Sequence, residues 1–196
     1  MKLHRYIYIY MVMPVVLAAT AAVSSCEKAE SMFSGYRAYF RFTPVSAKPN
    51  LHRACTSLGE FCSITFPIGD KYLIKSPSTP SVTDEILPTA IQGYNGGYIL
   101  GIGNGLIVGM PMIPEMLEQE SQVTCYDICC PNCYQEHGIQ KHTELHVGGI
   151  STCASCQRSY DLNNLGIVTK GEPGRSLFRY YAYYYQPTQT LTIDNK

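Results

Sequence analysis

The chain has 196 residues, with no Trp, 16 Tyr, 16 Gly, 12 Pro and nine Cys, and its formal charge is zero. A balanced, sparsely charged chain lacks the basic footprint of a nucleic-acid-binding protein, which argues against nucleic acid as a partner. Tyr, Gly and Pro at these levels suit many short strands joined by tight turns.

Lys2, His4 and Arg5 precede an apolar run from Tyr6 to Val23, interrupted by Pro14 and Thr20. This is a basic region followed by an apolar one, with no charged stop-transfer flank. The run ends in Val23-Ser24-Ser25-Cys26, small residues just before a cysteine, as in a lipoprotein signal. Residues 1–25 are therefore expected to be a signal peptide, with Cys26 the lipid attachment site that anchors the chain to a membrane. The expected location is periplasmic or cell-surface. Removing the first 25 residues leaves 171, with 13 basic and 15 acidic side chains and a formal charge of −2. That length suits one domain with its own core.

Residues 26–35 read as a tether, and residues 36–196 as a single β domain. Tyr36 to Phe42 suits a strand with one wet face. Phe61 to Ile74 reads as two strands with a turn at Gly69-Asp70. Ser76 to Pro88, with three prolines, reads as loop. Tyr98 to Gly101 and Leu106 to Val108 flank Gly103-Asn104-Gly105, which signals a hairpin and not a phosphate-binding glycine loop. Pro111 to Glu120 suits a short helix. Val123 to Ile128 reads as a strand leading to one cysteine pair, and Leu145 to Thr152 as a strand or hairpin leading to another. Ser159 to Leu162, Ile167 to Thr169, Leu177 to Tyr185 and Thr190 to Ile193 supply the last strands. No helical periodicity exceeds three turns after residue 26, so the fold class is mainly β.

The two cysteine pairs are Cys130-Pro131-Asn132-Cys133 and Cys153-Ala154-Ser155-Cys156, with nineteen residues between them. Two C-x-x-C units at that distance bring four thiolates to one point, and soft sulfur selects zinc, iron or iron–sulfur clusters over magnesium or calcium. The candidate metal ligands are Cys130, Cys133, Cys153 and Cys156.

Tyr126 to Cys133, Cys153 to Cys156 and Tyr160-Asp161-Leu162-Asn163, with the tail Gly166 to Val168, Gly171 to Gly174 and Leu177 to Tyr180, closely resemble the cluster-binding part of a Rieske iron–sulfur domain. The resemblance covers residues 123–180, and the whole chain resembles a Bacteroidetes-type lipoprotein carrying such a domain. It implies antiparallel β-sheets with two metal-binding hairpin loops and a 2Fe–2S cluster serving electron transfer to a redox partner protein. Carried over residue by residue, Cys130 and Cys153 fall on the family's two cysteine ligands. Asn132 and Cys156 fall where its two histidines stand. Asn is a poor ligand in such a site, and Cys133 is the natural replacement.

Three states of the four sulfurs remain open. They can hold a 2Fe–2S cluster whose all-thiolate ligation lowers the potential toward about −400 mV. They can hold one structural zinc that staples the loops. Outside the cytoplasm they can also form disulfides, leaving a non-redox binding module at the cell envelope.

His137, His142 and His146 lie between the pairs but suit polar loop positions better than ligands. Cys125 and Cys129 read as strand core, although Cys129 adjoins Cys130 and can exchange roles with it. Cys55 and Cys62 can pair locally or stay buried and free. The run Tyr180 to Tyr185 reads as a strand with one buried aromatic face, with a carbohydrate or peptide platform as the alternative. Catalytic motifs are lacking: there is no G-x-S-x-G, H-E-x-x-H or P-loop, and Glu118 and Glu120 read as a solvated acidic run. The residues point away from an enzyme.

Overall fold

The structure, a computed structural model, describes residues 33–66, 71–88, 97–114 and 122–195. Residues 1–32, and with them Cys26, the leader and most of the tether, lie outside the described residues, as do Gly69-Asp70 and most of the helix expected before Glu120.

Thirteen strands and two α-helices are described. The strands are β1 (Ala38–Phe42), β2 (Glu60–Thr65), β3 (Tyr72–Lys75), β4 (Thr83–Ile86), β5 (Ile99–Leu100), β6 (Gly105–Met110) and β7 (Thr124–Asp127). They continue with β8 (Glu144–His146), β9 (Ile150–Thr152), β10 (Ser159–Asp161), β11 (Ile167–Lys170), β12 (Arg179–Tyr185) and β13 (Thr190–Asp194). Helix α1 spans Pro49–Thr56 and α2 spans Pro131–His137. All paired strands are antiparallel. Nine form one sheet in the order β4-β3-β2-β6-β7-β12-β13-β1-β5, and four form a second in the order β11-β10-β9-β8. The mainly β class holds.

The sequence dictates where the layers fall. Strands β1, β3, β4 and β13 alternate buried and open positions, the period-2 signature of a strand with one wet face. Strands β6 and β7 are buried at every position. Their side chains alternate between two cores: Leu106, Val108 and Cys125 join a large core with Phe40, Leu51, Ile64 and Ile193. Ile107 and Tyr126 join a second core with Phe61, Tyr160, Leu162, Leu177 and three of the metal-loop cysteines. The unbroken apolar run Leu106-Ile107-Val108 is what a strand covered on both faces requires.

Two sequence expectations give way to the structure, and one helix lies where none was expected. The segment read as loop between Ser76 and Pro88 contains β4, which pairs with β3 from Tyr72↔Ile86 to Lys75↔Thr83. Buried Asn50 anchors the approach to it, donating from Nδ2 to the Val82 carbonyl at 3.0 Å, while its backbone N–H reaches Asp84 at 2.8 Å. The expected hairpin around Gly103 is not one: β5 pairs with β1, and β6 lies between β2 and β7. The Gly101–Asn104 turn instead wraps the Asp127 carboxylate, which accepts the N–H of Ile102 at 2.6 Å and of Gly103 at 3.1 Å. Helix α1 carried no recognised start signal, although Pro49 opens it and Leu51, Ala54 and Cys55 form its buried face.

Candidate metal centre

The two C-x-x-C units arrive by different routes. Cys153 to Cys156 sits on the hairpin between β9 and β10, whose register runs Thr152↔Ser159 to Ile150↔Asp161. The Cys153 N–H donates to the Arg158 carbonyl at 2.9 Å, and Gln157, at φ 59°, returns its N–H to Cys153 at 2.9 Å. This loop is the expected hairpin tip. The first unit opens a helix instead. Cys130 caps α2, Pro131 takes the first helical position, and Gly138, at φ 67°, ends it. Proline pre-sets the φ of a first helical turn and glycine accepts the left-handed exit, so the Pro131…Gly138 pair explains the departure. One turn of helix then carries Cys133 back beside Cys130.

The structure brings the four expected ligands together. The sulfurs of Cys130, Cys133, Cys153 and Cys156 all lie within 4.8 Å of one another. Cys130 Sγ is 3.6 Å from Cys156 Sγ, and Cys133 Sγ is 3.7 Å from Cys153 Sγ. Cys130, Cys133 and Cys153 are buried, and Cys156 is partly exposed. The group can hold a metal ion.

The surroundings treat the sulfurs differently and favour thiolate at Cys156. Burial raises the Cys130 thiol, against which the Cys133 N–H and the Tyr160 hydroxyl donate to its sulfur. Burial likewise pushes up Cys133, and the neighbouring Cys153 and Cys130 thiols push it further. For Cys156 burial also acts upward, but the Arg158 N–H and guanidinium, with the Cys130 and Cys153 thiols, bring it down to about 7. A ligand cysteine that accepts a backbone N–H is held in one orientation with part of its charge offset.

A second layer of polar contacts holds these groups. The Tyr160 hydroxyl lies 3.0 Å from Cys130 Sγ and accepts from Asn132 Nδ2 at 2.9 Å. Arg158 is buried and pairs with Glu136 of α2 at 3.2 Å, while its Nε donates to the Glu172 carbonyl at 3.0 Å. It therefore joins both cysteine loops to the 171–175 segment. Asp127 accepts the Tyr180 hydroxyl at 2.7 Å and the Cys129 N–H at 2.8 Å, and so fixes the chain one residue ahead of Cys130. Arg158 and Asp127 are site-supporting residues that sequence reasoning missed. The cue for Arg158 was its place two residues after Cys156, where a backbone N–H commonly meets a ligand sulfur.

The other candidates fall elsewhere. Asn132 is buried, and both its amide oxygen and its amide nitrogen are hydrogen-bonded. His137, His142 and His146 are exposed. His146 bonds Thr152 at 2.7 Å, and His142 forms a β-bridge with Cys129. Cys55, Cys62 and Cys125 are free and buried in the large core, and Cys129 is free and buried beside Cys130. Burial pushes the Cys55 and Cys129 thiols up to about 12 and those of Cys62 and Cys125 well above the ordinary thiol range. Tyr183 and Tyr185, from the tyrosine-rich run, stack at 6.4 Å between ring centroids on β12.

No protein-family model matches this chain, and no curated protein is significantly similar to it.

Proposed function

We propose that Cys130, Cys133, Cys153 and Cys156 hold one zinc ion, which staples the two loops of a Rieske-like β domain into a non-catalytic module. The observation that carries this reading is the compactness of the four sulfurs. Zinc–thiolate bonds of about 2.3 Å in a tetrahedron put neighbouring sulfurs about 3.8 Å apart. The contacts of 3.6 and 3.7 Å match that edge, and all four sulfurs lie within 4.8 Å of one another. A cluster of two irons spreads its thiolates over an elongated frame, with sulfurs on opposite irons well beyond one tetrahedral edge. Closed four-thiolate coordination suits a structural ion, because no ligand position is left for substrate.

The chain's own residues orient the ligands. The Cys133 and Arg158 N–H groups, the Tyr160 hydroxyl and the Arg158 guanidinium donate to ligand sulfurs and spread their negative charge. The second reading is a 2Fe–2S electron carrier with a redox partner protein. It is favoured by the residue-level resemblance over 123–180 and by the Tyr160 hydroxyl on Cys130 Sγ. In either case the basic-then-apolar leader and Cys26 support a lipid-anchored protein of the cell envelope.

Full-length protein purified anaerobically and subjected to elemental analysis tests the metal. One zinc per chain and no visible colour is the expected result. Two irons per chain with visible absorption establishes the cluster instead. Neither metal, with no free thiols at the four positions, establishes the disulfide-stapled module.

A further inference from the structure

The four sulfurs differ in access. Cys156 alone among them is partly exposed. Its sulfur lies 3.6 Å from that of Cys130, and the Cys133 sulfur lies 3.7 Å from that of Cys153. Both contacts run between the loops, across 26 and 20 residues of chain. A disulfide requires about 2.05 Å between sulfurs, so each pair has a gap of under about 2 Å to close once no ion stands between them. A bridge spanning twenty or more residues constrains far more chain entropy than one closed within a C-x-x-C unit. The two loop-to-loop bridges would therefore keep the loops fastened after the ion has gone.

We propose that the centre is a peroxide-responsive latch, in which oxidation replaces metal-mediated stapling by two disulfides, Cys130–Cys156 and Cys133–Cys153. The inference rests on the single-zinc reading. The Cys156 sulfur, the accessible one, attacks one peroxide oxygen. The O–O bond breaks, a sulfenic acid forms on Cys156, and hydroxide leaves. The Cys130 sulfur then attacks Cys156 sulfur, the S–O bond breaks, and a second hydroxide leaves. Two thiolates have lost two electrons to one peroxide, which, with two protons, yields two waters. With two ligands lost, the loops release the ion with its charge unchanged, and Cys133 and Cys153 are oxidised by a second peroxide in the same way. Arg158 steers the order, because its N–H and guanidinium bond to the Cys156 sulfur where attack begins.

Reduced, zinc-loaded full-length protein titrated with hydrogen peroxide tests this. Released zinc is read with a chromogenic chelator, and disulfides are located by tandem mass spectrometry of non-reduced peptides. At full oxidation one zinc should have left for two peroxides consumed, with bridges joining Cys130 to Cys156 and Cys133 to Cys153. Cys129→Ser should behave identically, and dithiothreitol with zinc should restore the starting state. Zinc that stays bound under excess peroxide overturns the latch and leaves the zinc reading standing. So does release accompanied by bridges inside each C-x-x-C unit or through Cys129. A reduced chain that binds no zinc at the outset overturns the zinc reading, and the latch with it.

Discussion

Asn132 holds both backbone groups of Arg175: its Oδ1 accepts the Arg175 N–H at 2.8 Å, and its Nδ2 donates to the Arg175 carbonyl at 3.0 Å. One side chain thus imitates a strand neighbour and ties the first cysteine loop to the segment that closes over it. The same Nδ2 reaches the Tyr160 hydroxyl, which contacts Cys130. At the position where the family resemblance places a histidine ligand, this chain has a buried structural amide. Asn132→Ala should lower unfolding free energy by about 2–3 kcal/mol, the scale of several lost hydrogen bonds with partly re-solvated partners. Calorimetric denaturation gives the stability and elemental analysis the metal. Unchanged stability, or a folded variant that has lost its metal, would contradict the structural role.

Gly174 lies against this contact. A Cβ there would come within 2.4 Å of Asn132 Oδ1 and 3.1 Å of Arg158 Nε. Neither neighbour can move freely, since Asn132 is bonded on three sides and Arg158 is buried. Gly174→Ala should cost on the order of 1–3 kcal/mol through crowding. The loss should largely vanish in the Asn132→Ala background, where the obstructing oxygen is absent. A thermal-melt double-mutant cycle showing simple additivity would count against that explanation.

Arg158→Gln should weaken zinc binding while leaving one zinc bound at saturation. The guanidinium bonds Cys156, Glu136 and two carbonyls of the closing segment, so its loss loosens ligand orientation without removing a ligand. Removing such outer-layer partners typically costs about 10–100-fold in metal affinity. Competition with a chelator of known affinity measures the change. An affinity equal to wild type would show that the guanidinium does not support the centre.

How much of this was legible beforehand depends on the kind of signal each residue carries. Spacing alone placed Cys130, Cys133, Cys153 and Cys156 together, because two short C-x-x-C arcs can converge whatever lies between them. The strands from β7 onward followed from apolar runs and glycine turns. The helix at Cys130 was missed because its seven residues are too few to show a period, although Pro131 and Gly138 marked both ends. The pairing of β5 and β6 was misjudged because Gly103-Asn104-Gly105 looks like a hairpin turn. What fixes that turn is Asp127, more than twenty residues away, and no local pattern records such a contact. The polarity of Asn132 does not foretell its burial, which depends on Arg175 and Tyr160, partners visible only once the chain is folded.

Asp127 offers a test in which charge and hydrogen bonding are separable. Burial holds its carboxyl above the usual carboxylate range, although the Cys129 N–H, the Tyr180 hydroxyl and the Ile102 and Gly103 N–H groups pull the other way. All four partners donate, so the amide of Asp127→Asn would set its own NH₂ against a donor. The cost should be about 2–4 kcal/mol at neutral pH. Because the folded-state value is raised, folding favours the protonated carboxyl. That contribution is complete below the ordinary carboxylate range and disappears as pH rises through the folded value. Asp127→Asn should remove this downward slope in stability, so the gap between wild type and variant should narrow as pH rises through the window. Parallel pH–stability curves would show that Asp127 does not titrate differently on folding.

Removing the metal should soften one side of the molecule and spare the other. The buried cysteine ligands sit in the second core with Phe61, Tyr126, Tyr160 and Leu177, whereas Phe40, Leu51, Ile64, Leu191 and Ile193 belong to the large core on the far faces of β6 and β7. The loops themselves carry few apolar groups: Ala154 and Ser155 are exposed, and the capacity to hold a shape rests on the four sulfurs and the polar contacts around them. Structural zinc sites contribute on the order of 10 kcal/mol or more of apparent binding free energy in small domains, so its loss should open both loops together. Hydrogen exchange after chelation under reducing conditions should therefore accelerate by orders of magnitude across 129–138 and 153–158. Amides of β2, β6 and β13 should keep most of their protection, since local opening need not breach a separately packed core. Cys130→Ser should reproduce the same pattern without chelator. Cys125→Ser, which alters only the large core, should retain one zinc and protected loops. Equal acceleration over the whole chain would mean that the ion supports global folding and not a local staple, and no acceleration in either loop would mean that the sulfurs hold no stabilising metal.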